Sequence, residues 1–224
     1  MPPQATSSAY SASIKVRNLL IILSIFCFTG LARGGAYDDI LAAANDKDTA
    51  TVVDLLKRGM DVNTSDRAGS TLLMIAARTG NLQLLQTLVA NRANVNRRNQ
   101  YGDSAVMVAA LNGKLDAVKA LLEHGAELNT SGWTTLHYAV FGGDTDVVAL
   151  VIAKGGKLDT RAPNGQTALM FAVKNGKLEQ VKQLIDADAD MDIADFDGVT
   201  AIKLARKLGH DDIARYLSSV GAVE

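Results

Sequence analysis

The chain has a single cysteine, Cys27, and it lies inside the apolar run Leu19 to Leu31. Once that run is removed no thiol remains, which excludes disulfides, thiol catalysis and cysteine metal sites together. Net charge is scarce too: 23 basic and 24 acidic residues in 224 give −1, with no bulk signal for nucleic acid. Glycine-rich phosphate loops and serine nucleophile elbows are missing. So are long apolar runs, because Leu19 to Leu31 falls short of the roughly 20 residues a membrane-spanning helix needs.

What surrounds that run points to export. Met1 to Asn18 has no acidic residue and carries Lys15 and Arg17, and small residues follow the run at Gly34, Gly35 and Ala36. Residues 1–36 therefore read as a secretory signal peptide cleaved after Ala36, with retention as an anchor the alternative. Cleavage takes Lys15, Arg17 and Arg33 and no acid, leaving 20 basic and 24 acidic residues and a net charge of −4. A lipoprotein reading fails because the bulky Phe26 precedes Cys27. Asn63-Thr64-Ser65 and Asn129-Thr130-Ser131 match the glycosylation acceptor pattern, but they occupy equivalent positions where a glycan would obstruct stacking. Both read as incidental, and a bacterial envelope compartment fits better than a eukaryotic secretory one.

From Tyr37 onward the chain is periodic. Glycine recurs at Gly80, Gly113, Gly143, Gly176 and Gly209, with hydroxyl residues nine positions earlier at Thr71, Ser104, Thr134, Thr167 and Thr200. Alanine keeps step at Ala76, Ala109, Ala139, Ala172 and Ala205. A fixed period of this length marks stacked units, none able to bury its apolar face alone. The stretch from each hydroxyl to its glycine predicts a first helix, closed by a glycine free to take positive φ. Leu85, Leu88 and Val89 lie at i, i+3 and i+4, as do Val118, Leu121 and Leu122, which predicts a second, amphipathic helix. Segments such as Asn96 to Gly102 are turn-rich and predict hairpin-like fingers. One finger is three residues short, since Ser104 to Thr134 spans 30 residues and not 33.

Thr134-Thr135-Leu136-His137-Tyr138-Ala139 carries a Thr-x-Leu-His-x-Ala pattern, and Leu121-Leu122-Glu123-His124-Gly125-Ala126 and Gly209-His210 add to it. On these residues the chain resembles the ankyrin-repeat family, and the leader makes it an exported, bacterial type. The resemblance implies an α-helical repeat solenoid of helix-turn-helix units with β-hairpin fingers. It covers residues 37–224 in about six repeats, at 37–65, 66–98, 99–130, 131–161, 162–194 and 195–221. Elsewhere the pattern's histidine is replaced by Met74, Met107, Met170 and Lys203. The terminal repeats read as polar caps, with Asp38, Asp39, Asp46 and Asp48 at one end and Lys203, Arg206, Asp211, Asp212 and Arg215 at the other.

The three histidines do not cluster in the i, i+4 manner of a zinc helix, and all fall on pattern positions. The acidic stretch of Asp186, Asp188, Asp190, Asp192, Asp195 and Asp197 lacks the central glycine and distal glutamate of a calcium loop and reads as a solvated finger. No catalytic, cofactor or metal residue is assigned, and no enzyme activity is expected. A metal-dependent enzyme using His137 and nearby acids is the disfavoured reading.

The resemblance places binding on the finger tips and the exposed end of each first helix. There Tyr101, Trp133 and Phe141 are expected as anchors, with Leu111 beside them and a rim of Arg67, Arg78 and Arg98. Trp, Tyr and Arg are the residue types most enriched at interface hot spots. For Trp133 the alternative is packing along neighbouring fingers, drawn inward by the shortened one. The expected protein is a monomer, periplasmic or secreted, without cofactor, nucleic acid or, after cleavage, membrane contact. It would bind another envelope protein as accessory factor or inhibitor, or a host protein if released as an effector.

Overall fold

Thr71, Thr134 and Thr167 each turn a side-chain oxygen onto the amide three residues on, of Met74, His137 and Met170. That interaction satisfies one of the orphan donors of a helix start. These three helices, and the two that begin after Ser104 and Thr200 without such a cap bond, run to a left-handed residue at Gly80 (φ 69°), Gly143 (φ 84°) and Gly209 (φ 74°), or to an asparagine just before the glycine. In the computed structural model, which describes residues 35–223, this element recurs as α3 (Leu72–Thr79), α5 (Ala105–Leu111), α7 (Thr135–Gly142), α9 (Ala168–Lys174) and α11 (Ala201–Leu208). A leading helix α1, residues 35–45, stands in the same row.

Each is followed by an antiparallel partner: α2 (Thr49–Lys57), α4 (Leu82–Ala90), α6 (Leu115–Glu123), α8 (Thr145–Ala153), α10 (Leu178–Asp186) and α12 (Asp211–Ser219). First helices pack on first helices and second helices on second helices, each mainly with its neighbours in chain order. The chain is thus an all-helical repeat solenoid, as its periodicity predicts. The i, i+3 residues of the second helices, among them Leu85, Leu88, Val118 and Leu121, are wholly buried, while Val89 and Leu122 at i+4 are partly so. A leucine buried this completely contributes about 2 kcal/mol.

The fingers differ from the expected hairpins, since among the described residues no strand forms and the only bridge joins Ser65 and Thr71. Each regular finger is closed by a pair of main-chain bonds, Asp66 to Ser70 and Gly69 to Asp66 in the first and the equivalent pairs at Asn99, Ala162 and Asp195, at 2.8–3.1 Å. Such a loop is too short for a ladder. The three-residue deletion removes that closure, and Thr130 Oγ1 instead donates to the carbonyl of Trp133 at 2.8 Å.

Asn63 and Asn129, the two glycosylation matches, belong to a side-chain ladder between units. Asn63 accepts the amide of Asn94, Asn96 that of Glu127, Asn129 that of Lys157, Asp159 that of Asp190 and Asp192 that of Val223. Asn129 also donates to the carbonyl of Gly155 at 2.8 Å, so its amide is used on both sides. The acidic finger is likewise occupied by backbone: Asp190 accepts the Asp192 amide, and Asp195 those of Asp197 and Val199.

The leader lies outside the described residues, apart from the junction itself. Cleavage after Ala36 would fall in the first turn of α1, and Tyr37, the residue it would expose, donates its hydroxyl to the Ser65 carbonyl. Among the described residues no helix is long and apolar enough to cross a membrane.

Candidate protein-binding face

The sequence-predicted residues divide into two groups. Leu111, Trp133 and Phe141 come together around an open recess of roughly 200 Å³, completed by His137 and Tyr138. Leu111, the last residue of α5, and Phe141, the next to last of α7, hold equivalent repeat positions, and Phe141 is 60% exposed. Tyr101 is 72% exposed but sits at the tip of the preceding finger, outside the recess. Arg98 donates to the Gly102 carbonyl of its own finger at 2.9 Å, and Arg78 reaches across a repeat to Asn45 Oδ1 at 2.5 Å. Arg67 is exposed on the finger before α3.

Trp133 is a wall of the recess more than a free anchor, being 37% exposed. Its ring meets Phe171 at 5.2 Å, His137 edge-on at 5.7 Å and Tyr138 at 6.3 Å. The shortened finger draws it inward: with three residues gone it stands just before the N-cap Thr134, where regular fingers place Ser70, Asp103, Gln166 or Val199. The packing alternative therefore accounts for most of its surface.

His137 lies beneath, 1% exposed. Its Nδ1 accepts the Thr134 amide at 3.2 Å, which places the proton of the neutral ring on Nε2. Among the described residues Nε2 has no hydrogen-bond partner. Burial lowers the His137 pKa, opposed weakly by main-chain groups of Gln166 and Thr160. Where methionine replaces this histidine the cap survives in part, since Met74 Sδ accepts the Thr71 amide at 3.4 Å.

Tyr138 was not anticipated as a site residue. Its hydroxyl donates to Asp103 Oδ1 from the neighbouring unit. Burial, then the bond and the charge of Asp103, raise its pKa far above the ordinary phenol range. The contact joins positions 35 residues apart, and a pattern that repeats at each unit does not reveal a pairing made once. The other histidines are structural. His124 Nδ1 lies 2.7 Å from the Ala120 carbonyl, and the His210 ring fills space beside Gly176.

Gly142 sets the closeness of this junction. A Cβ there would meet the Leu111 carbonyl oxygen at 2.4 Å and that of Ala110 at 2.9 Å. The corresponding positions hold Thr79, Asn112, Asn175 and Leu208, so the approach of α7 to α5 is peculiar to this junction. Among the described residues no group of three or more potential ligands could hold a metal ion.

The fold and this face define a helical repeat protein that presents a surface across several units. The family model described as ankyrin repeats (3 copies) matches residues 40–131, 81–162 and 136–223, and the chain belongs to the ankyrin-repeat family. Repeats of this family are generally protein-interaction modules. No curated protein matches the chain.

Proposed function

We propose that residues 37–224 form an exported ankyrin-repeat module that binds one protein of the bacterial envelope, stoichiometrically and without catalysis, as accessory factor or inhibitor. The supporting observation is the recess walled by Leu111, Trp133 and Phe141, open and apolar in the middle of the first-helix row. A soluble repeat protein exposes adjoining apolar side chains of this size where a partner covers them. The leader composition supports export, and the protein acts in the periplasm or the medium as a monomer.

The test is affinity capture from crosslinked envelopes with the full chain and a Leu111→Ala, Phe141→Ala variant. Both side chains lie at the surface, so the melting temperature stays unchanged. Capture of one protein by the wild type alone supports the reading. Equal capture by both, or by neither, contradicts it, and capture only from the culture medium moves the partner to a host. Mass spectrometry of the mature N-terminus checks the leader, with Tyr37 expected as first residue.

A further inference from the structure

Charge is sorted between the two rows of helices. The first helices α3, α5, α7, α9 and α11 contain five cations, Arg78, Lys174, Lys203, Arg206 and Lys207, and no carboxylate. The second helices carry eight carboxylates and four cations. Only the end helix α1 breaks the pattern, with Asp38 and Asp39 in its first half. On the first-helix row one equivalent position is exposed in every unit from α3 on, and it reads Arg78, Leu111, Phe141, Lys174, Lys207. Arg58 with Asp54, Lys119 with Asp116 and Lys182 with Glu179 form ion pairs along the second-helix row. Arg78, Lys174 and Lys207 have no carboxylate partner among the described residues.

The occupant of the recess must match that order. Packed helices lie about 8–10 Å apart, so successive positions on the row are separated by about that distance. A chain in the polyproline II conformation advances roughly 9 Å per turn of three residues and returns every third side chain to one face. A β-strand, with a period of two, would turn alternate contacts away.

Building on the protein-binding reading, we infer that the partner supplies an extended segment with two apolar side chains three residues apart, flanked by carboxylates at the same three-residue spacing. The apolar pair covers Leu111 and Phe141. One carboxylate lies against Arg78, and two on the other side lie against Lys174 and Lys207. Charge complementarity selects this occupant over a neutral one and over a basic one, which the row would repel.

The probe is a fluorescent peptide with Glu, Leu, Leu, Glu and Glu at every third position and Ser, Pro and Gln between them, made in both chain directions. Anisotropy with the full chain should give binding about tenfold tighter than for a scrambled peptide of the same composition, weakening as salt screens the charges. The exposed pair Lys174→Glu, Lys207→Glu should abolish the preference, and a peptide with Lys at its last two marked positions should restore it. Lys119→Glu on the second-helix row should change nothing. Equal affinity for ordered and scrambled peptides, or no restoration by the swap, overturns the inference. So does tight binding to phosphatidylserine vesicles without peptide preference, which would assign the row to a lipid surface. If envelope capture still depends on Leu111 and Phe141 while the peptides fail, the segment chemistry alone is wrong. If both fail, the protein-binding reading falls with it.

Discussion

The two junctions on either side of α5 are built by different means. Between α3 and α5 the fingers are closed by their own main chain, and one hands a bond to the next, from the Gln100 amide to the Ala68 carbonyl at 3.0 Å. Between α5 and α7 the finger is short and lacks that closure. Its place is taken by side chains: Tyr138 reaches back to Asp103 of the preceding unit, while Trp133 packs on His137 of its own unit and forward on Phe171 of α9. Backbone bonding satisfies polar groups and leaves no apolar remainder, whereas aromatic packing leaves ring edges at the surface. The recess is that remainder. A deletion in a finger thus becomes a feature on the candidate binding face.

The comparison is broken most strongly at Trp133. Trp133→Ala should cost about 3 kcal/mol, while Ser70→Ala at the equivalent place should cost about 0.5 kcal/mol or less, measured by urea denaturation. Equal losses would mean that the aromatic cluster does not replace the missing finger closure. Gly142→Ala comes next, at about 2 kcal/mol, because its Cβ meets backbone that cannot swing aside. Thr79→Ala at the matching position of α3 should be nearly silent.

A control away from both junctions has the opposite sign. Gln180 is 1% exposed, and neither amide atom has a partner among the described residues. It occupies the core position held elsewhere by Leu84, Ala117, Val147 and Ile213. Gln180→Val should raise stability by about 1 kcal/mol, since an unsatisfied buried amide is costly. A fall in stability would show that the amide has a role.

The smallest effect is a pH dependence carried by His137. Its folded pKa lies below the ordinary 6.5, so as pH falls through that value the unfolded chain takes up the proton first. His137 thus makes stability fall as the solution is acidified below 6.5. His137→Met, the residue found at positions 74, 107 and 170, should flatten that part of the melting-temperature profile. An unchanged profile would assign the titration elsewhere.

The regular part of the molecule was legible because it is local. Helix starts at the hydroxyls, closing glycines and the i, i+3, i+4 stripe all lie within one unit. That Thr71, Thr134 and Thr167 cap their helices while the hydroxyls of Ser104 and Thr200 are buried and unpartnered was not read from the pattern. The other unread features cross units: the second hydrogen bond of Asn129, Tyr138 with Asp103, and Gly142 against Leu111. They depend on the separation of stacked helices, which periodicity does not encode. Leu111 and Phe141 were legible as exposed apolar residues on a repeating position. Tyr101 carried the same composition signal, yet its finger holds it away from the recess. The deletion itself was readable, and it made inward packing the alternative to an anchor role for Trp133.

The central claim is that a partner is bound across Leu111 and Phe141. Its most direct test places a photo-reactive residue at position 141 of the full chain, and in a second variant at Asp116 on α6, and irradiates the producing cells. The account predicts one discrete adduct from position 141 and none from position 116. Matching adducts from both positions, or none from 141, would contradict it.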